Sequence, residues 1–339
     1  MRNPAEQTGL PATLPTIGVM ILNRNGQRWL PPLCESLRRQ AYPQLKIYLV
    51  DNASADSSVE LTLARYPEVR ILRLSMNAGY CIAYNRAMPI AFADGCDWVI
   101  WANNDVLLEP GCLLEMGIMA SQHQDIGVIG PGFLAWDSNE PNYYMNGKHP
   151  AAIEPMRNQS STPFEVDWVE GSFLMVSKRC IKDVGGLDPY LFFYWEETDF
   201  CRRAIRKGWR VVLAPRAIAR HYAGGWSSGN QQNASTAGFL KSRNQYIYVL
   251  ADPNRSFSRN LIACIHLFLV LLKCSLGQSP GAVGYEIRSF TRLIPELTAI
   301  HRKWCRDRSG LAPEMTTAEY AEMTVETCDG LCKTESPRS

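Results

Sequence analysis

Four points along this chain put acidic or imidazole side chains where a charged group could be handled, and each follows an apolar run. Asp51 closes KIYLVD, Asp105 follows WANN, Glu196, Glu197 and Asp199 follow LFFYW, and His221 ends AIARH. In an open α/β sheet, ligands bind at the carboxyl ends of the strands. There Asp51 can accept hydrogen bonds from a nucleobase or ribose. A hard cation such as Mg2+ or Mn2+ takes one or two carboxylates alongside substrate phosphates. Asp105 supplies such a carboxylate, with Asn104 beside it acting through its amide or through water. The cation would neutralise charge growing on a departing diphosphate. One acid of the EETD group can remove a proton from an acceptor hydroxyl. Burial among aromatics would raise that acid's pKa and a helix start would lower it, a balance that sequence leaves open.

Each residue also has an ordinary structural use. Asp51 suits a strand-exit turn or a helix N-cap, and Asn103 to Asp105 suit an Asx turn. Three acids suit a first helical turn, the role assigned to Asp199, and a lone strand-end histidine suits a hydrogen-bonded core. Asp105 follows an apolar strand and has a second strand-end aspartate for company, which favours the ligand.

The elements that must position these groups alternate in the first half of the chain. Short apolar runs at 17–22, 46–51, 69–74 and 98–102 read as strands. Helical stretches at 29–40, 57–66 and 78–93 lie between them, the last kinked at Pro89, and another helix follows Pro110. This is the pattern of an open, mostly parallel sheet flanked by helices, an α/β fold. In the second half, 164–178 reads as extended, 196–208 as a helix ended by Gly208, and RVVLA and AIARHY as two strands. Residues 223–238, dense in Gly, Ser, Asn and Gln, read as a loop, either a substrate lid or a linker. Helices at 239–250, 261–276 and 286–304 complete the pattern. The expected organisation is a flexible leader at 1–15, a main domain at 16–238, a helical C-terminal region at 239–310 and a poorly ordered tail at 311–339.

With 339 residues, 46% of them hydrophobic, the chain can bury a full core. A net charge of +2 gives no reason to expect nucleic acid as a partner. Seven cations between Arg202 and Arg220, with no acid among them, are expected mostly on a solvated helix side and at strand ends. Eleven cysteines without a CxxC pair suggest free thiols in a reducing cytosol. The opening residues lack the pattern of an export signal, so a cytoplasmic location is expected. The apolar run 261–276 is shorter than a bilayer crossing needs and is broken by His266 and Lys273. It is expected to pack in the core with a membrane-facing edge. Residues 286–308 read as a basic amphipathic helix able to rest on anionic lipid, which gives peripheral contact at the inner face of the plasma membrane.

The chain resembles the family 2 inverting glycosyltransferases of GT-A nucleotide-sugar-binding fold, and among them the bacterial rhamnosyltransferase branch. The resemblance covers Thr16 to Asn244. It rests on VMILNRN, LVDNAS, NAGYCIAYNRA, WANND, DWVEGSFLMVSKR, VGGLDPYLFFYWEETDFCRR, HYAGGWSS and SRN, met in family order. It implies that Asn23, Asn25 and Asp51 contact the nucleoside, that Asn77 and Asn85 help shape its pocket, and that Trp168 and Gly171 flank the donor sugar. It also implies that Asp105 and His221 hold the cation. Glu197 stands at the catalytic base position, where the family usually has Asp, and Arg24 stands where an aromatic is usual. The implied substrates are a nucleotide-sugar donor, dTDP-rhamnose or a UDP-sugar, and a hydroxyl of a bacterial surface glycan or lipid-linked acceptor.

Three other readings compete. A non-catalytic sugar-nucleotide or glycan binder of the same fold is suggested by Glu197 replacing Asp. A processive synthase would carry QxxRW and several membrane spans, and neither is present. A nucleotidyltransferase would want a glycine-rich basic loop, for which NRNGQRW offers one glycine and two arginines.

Overall fold

The structure, a computed structural model, describes residues 13–142, 150–223, 231–276, 280–313, 323–326 and 333–334. Strands β1 (Ile17–Asn23), β2 (Leu45–Asp51), β3 (Val69–Leu74) and β4 (Trp98–Asn103) alternate with helices α1 (Leu30–Arg38), α2 (Ser58–Arg65) and α3 (Gly79–Ala93). They pair in parallel in the order β3-β2-β1-β4. Both faces of these strands are covered, which is why they read as nearly unbroken apolar runs. Ile17, Val19 and Ile21 point into a cluster with Leu33, Leu37 and Val59. Met20, Tyr48 and Val50 point the other way, onto Ala83, Tyr84 and Ala87 of α3. The chain builds outward from β1 to β3 and then returns to β1's other side for β4. That reversal opens a crevice at the carboxyl ends of β1 and β4, the usual ligand position in such sheets.

The sheet continues through β5 (Val106–Leu108), α4 (Cys112–Gln122), β6 (Ile126–Leu134), α5 (Pro150–Arg157), β7 (Phe164–Glu165), β8 (Phe173–Ser177), α6 (Lys178–Val184), α7 (Glu196–Arg206) and β9 (Arg210–His221). β8 lies antiparallel between β4 and β6, and β9 runs parallel to β6 and antiparallel to β5. The extended stretch expected at 164–178 is two short strands, and between them Trp168, Glu170 and Gly171 are left out of the sheet. The two strands expected over 210–222 are one. The register with β6 steps from Pro131↔Ala214 to Gly132↔Ile218, so 215–217 bulge outward where Pro215 has no N–H for the ladder.

Helices α8 (Gln231–Leu250), α9 (Phe257–Leu276) and α10 (Pro280–Arg308) form the C-terminal region. The loop expected to reach residue 238 is already helix from Gln231, and 224–230, where the lid reading falls, lie outside the described residues. Tyr246, Ile247, Cys264, Leu293 and Ile300 share one core cluster with Tyr84 and Phe200, so this region packs on the same face as α3 and α7. α9 packs on the core through Cys264 and leaves an apolar edge outward, with Ile262, Leu269 and Leu276 exposed. In the tail, β10 (Met323–Glu326) pairs antiparallel with β3, and β11 (Lys333–Thr334) with β10, where no fixed element was expected. The nine described cysteines are unpaired thiols.

Candidate active site

The crevice floor is a polar network built from strand-end residues. Asn23 pairs in register with Asp51. Its side-chain nitrogen faces Asp51 Oδ1 at 3.3 Å, Ser54 Oγ at 3.0 Å and Ser58 Oγ at 2.9 Å. Asn104 Nδ2 donates to Asn23 Oδ1 at 2.9 Å, which joins the ends of β1 and β4. Asn25, with a φ of 55°, accepts from Ala55 N at 2.7 Å, and Arg24 Nη1 donates to Asn52 O at 2.9 Å. Asn52 Nδ2 in turn donates to Asn77 Oδ1. Asp51 departs from the sequence expectation: it is 1% exposed rather than presented at the lip, because the 52–56 loop folds back and Ser54 N donates to its carboxylate. Asn85 also stands apart, with both ends of its amide taken by the Leu187 backbone.

β5 and β9 bring the second pair together. Val106 lies opposite His221, Tyr222 N donates to Asp105 O at 3.0 Å, and His221 Nε2 sits 3.1 Å from Asp105 Oδ1. Both side chains are nearly buried. Burial pulls the imidazole pKa down, but the hydrogen bond and charge of Asp105, with Glu170 nearby, hold it above the ordinary histidine value. His221 Nδ1 is buried without a hydrogen-bond partner. A carboxylate and an imidazole at hydrogen-bond distance suit a divalent cation whose remaining positions go to phosphate oxygens. Among the described residues no group of three or more His, Cys, Asp or Glu side chains is arranged to hold a metal.

The third group rides on α7. Its entry is strained: Phe192, Tyr194 and Trp195 have φ values of 61°, 71° and 71°. Such residues persist only where surrounding contacts fix them. Buried Asn244 of α8 provides those contacts, its Nδ2 lying 2.7 to 2.9 Å from the carbonyls of Leu191, Phe193 and Tyr194. Gly79 supports the same turn, since a Cβ there would come within 2.5 Å of the Phe192 ring. The result is a helix start with Glu196 and Glu197 side by side. Burial, then the charge of Glu170, raises Glu197 to about 7, so desolvation outweighs the helix terminus. Glu196 is pushed well above the usual carboxylate range by burial and by Glu197. Asp199 stands in the first turn of α7, as expected, and is in addition tied into an ion cluster. It pairs with Arg202, Arg203 and Lys303 of α10 at 3.2, 2.9 and 2.8 Å. For the same reason Arg202 and Arg203 are buried rather than solvated.

Glu170 links the parts, and sequence reasoning passed over it. It is close enough to His221 and Asp105 to exchange electrostatic influence with both, and it also acts on Glu197. Burial raises it against the pull of His221 and Lys241. Next to it, Gly171 packs so closely on Glu197 that a Cβ would lie 3.2 Å from its side chain, and Ser172 O accepts from Asn103 N at 2.7 Å. The available signal was its place in DWVEGS between Trp168 and Gly171. Trp168 packs at the edge of the core cluster. Asn23, Asn104, Asp105 and His221 thus follow one another at the carboxyl ends of the strands, with Asp51 buried beside Asn23, and the segment bearing Glu170 and Gly171 lies against Glu197.

Comparison with known proteins fits this geometry. The model of the family described as Glycosyl transferase family 2 matches residues 16–184. The chain is 31% identical over 242 residues to the N-acetylglucosaminyl-diphospho-decaprenol L-rhamnosyltransferase of Mycobacterium tuberculosis, over 63% of this chain and 77% of that protein. It is 24% identical over 172 residues to the dTDP-rhamnosyl transferase RfbF of Shigella flexneri, over 50% and 57% of the two chains. Among solved structures, the mannosyltransferase from Pyrobaculum calidifontis in complex with GDP-Man and Mn2+ superposes with a TM-score of 0.54 at 14% identity, over 88% of this chain and 86% of that one. S. aureus TarS 1–349 gives 0.53 at 14% identity, over 86% and 89%. At such identities the structural likeness speaks to the fold.

Proposed function

Because this chain belongs to glycosyl transferase family 2, on the rhamnosyltransferase-like branch with a GT-A fold, we propose that it transfers a sugar from dTDP-rhamnose or a UDP-sugar, with inversion, to a hydroxyl of a bacterial surface glycan or lipid-linked acceptor. The observation that supports the reading is geometric: Asp105 and His221 meet at 3.1 Å where β5 and β9 pair, and Gly171, next to Glu170, packs against the Glu197 side chain. A rhamnosyl donor is favoured by the names of the two relatives, and a lipid-linked acceptor by the name of the mycobacterial one.

In this reading Asn23, Asn25, Asp51, Asn77 and Asn104 frame the nucleoside, and Asn85 acts only through the Leu187 backbone it holds. Trp168 and Gly171 border the donor sugar. Asp51 must be uncovered by movement of the 52–56 loop before it can bond a ligand, given its burial. Asp105 and His221 would hold Mg2+ or Mn2+, which would supply positive charge against the leaving nucleoside diphosphate. Glu197, a carboxyl titrating near neutrality, accepts the acceptor's proton as the hydroxyl oxygen attacks the anomeric carbon from the face opposite the leaving group. Residues 16–238 form the catalytic domain, and 239–310 brace it. The protein works in the cytoplasm, in peripheral contact with the inner face of the plasma membrane.

A Glu197→Gln variant tests the mechanism. It should keep nucleotide affinity, read by thermal shift with dTDP or UDP and Mn2+, and lose about a hundred- to ten-thousand-fold in turnover. Near-normal turnover removes Glu197 from the base role. The non-catalytic reading has one observation behind it, glutamate in place of the family's aspartate. Hydrolysis of donor by the native protein, absent in that case, separates the two.

A further inference from the structure

The outward faces of α9 and α10 carry a feature that sugar transfer does not use. By length and composition α9 could cross a bilayer. Its packing says otherwise. Phe268 stacks on Phe290 of α10 with ring centroids 4.2 Å apart, Phe257 meets His301 and Trp304 at the other end, and Asn260 Nδ2 donates to Leu250 O and Asp252 O. Pulling α9 into hydrocarbon would open this core and strand the asparagine. The opposite face of α9 presents Leu261, Ile262, Ile265, Leu269 and Leu276 to solvent, and α10 adds Ile287 and Ile294. A run of exposed apolar side chains this long marks an interaction surface.

Charge identifies the partner. Between Phe257 and Arg302 the chain has five arginine and lysine residues, Arg259, Lys273, Arg288, Arg292 and Arg302, all exposed. It has two acids, Glu286 and Glu296, and both are engaged inward. Glu286 accepts from Ser242 Oγ and Tyr246 OH at 2.8 and 2.6 Å. Glu296 accepts from Tyr190 OH and Arg243 at 2.6 Å each, as well as from Arg292 at 3.2 Å. The exposed side chains of α9 and of α10 up to Arg302 thus include apolar and cationic residues and no acid. A groove of about 560 Å³ opens beside α10, lined by Phe239, Arg288, Thr291, Arg292 and Pro295. A protein partner or a second copy of this apolar, cationic face would have to bring its own acids. A bilayer containing acidic phospholipid supplies hydrocarbon and negative charge together.

We infer that the exposed faces of α9 and α10 are a docking surface for an anionic phospholipid bilayer, on which α9 lies in the interface plane. The inference rests on the peripheral-contact reading above and gives it a surface and a lipid charge. The full-length protein, without sugar nucleotide, is sedimented with vesicles of phosphatidylcholine alone or mixed with phosphatidylglycerol. Pelleting is expected with phosphatidylglycerol only, and high salt should reverse it. Lys273→Gln combined with Arg288→Gln should lower partitioning about twenty-five-fold, taking about fivefold for each surface cation removed. Ile262→Asn combined with Leu269→Asn should abolish pelleting, while circular dichroism melting shows the fold retained. If the native protein and these variants pellet alike, peripheral contact stands and this surface is wrong. No pelleting at all removes both. Resistance to salt and alkaline extraction would mean that α9 spans the bilayer and overturns the proposal. A dimer on size exclusion that Ile262→Asn dissociates, without vesicle binding, would assign the face to a second copy.

Discussion

Glu170 and Glu197 sit in one low-dielectric patch, and the charge of the first raises the pKa of the second. A base must be deprotonated to act, so turnover should fall as pH drops through about 7. Replacing Glu170 with Gln removes the neighbouring charge and should move this acid limb to lower pH, read from kcat/KM against pH. An unmoved limb would mean that burial alone sets the value. Asp105→Asn should remove stimulation by Mn2+ while leaving the fold intact, since the His221 bond can be remade with an amide oxygen. The acidic group at 196–199 was legible in the sequence because a helix start after aromatics is a local pattern, whereas the choice of Glu197 within it rests on the family resemblance. Glu170 was not, because a loop residue declares no partners until the sheet brings β9 and α7 to it.

At the scale of elements, the helix start that carries Glu197 is held by helices distant in the chain. Asn244 of α8 fixes the strained Phe192–Trp195 entry to α7 through three carbonyls. Asn244→Ala leaves those carbonyls without their donor and should destabilise the protein by about 1–3 kcal/mol. It should also lower kcat more than it raises KM, because the entry turn aims Glu197. Lys303 of α10 is buried among Asp188, Asp199 and Asp307 at 2.8, 2.8 and 2.9 Å. Lys303→Met would leave three buried carboxylates short of a cation, a loss of about 3–5 kcal/mol by analogy with breaking a buried ion pair, visible in urea unfolding. Periodicity placed these helices but gave no view of which of their polar residues turned inward. The sequence puts Asp199 at a helix start and Arg203 among cations on a solvated helix side, and only packing against Lys303 of α10 buries them in one ion cluster.

Across the whole molecule, the helical region at 239–310 and the catalytic sheet share one core, with Tyr246 and Ile300 in the same cluster as Phe200. A chain ended at residue 238 would lack Asn244 and Lys303 together and should give no cooperative thermal transition. The ion cluster also sets a direction for acid stability. Burial alone would raise Asp199 and Asp188, but Lys303 and neighbouring guanidinium groups outweigh it and hold both below the usual aspartate value. Carboxylates depressed in the folded state contribute stability that is present above their unfolded pKa and lost as pH falls through the folded value. Melting temperature should therefore drop on acidification below about pH 4, the unfolded aspartate range, and Lys303→Met should flatten that dependence.

The sequence by itself determined the alternation of strands and helices, the strand ends that bear Asn23, Asp51 and Asp105, and the family order of the motifs. All of these follow from local hydrophobic period and chain direction, which neighbouring residues encode. Only the tertiary structure decided that Asp51 is covered, that Asp199 belongs to an ion cluster, and that Glu170 comes within electrostatic reach of His221, Asp105 and Glu197. Each of these depends on burial and on partners dozens of residues away. The dielectric around a carboxylate, and the charge that faces it, exist only once the chain has packed.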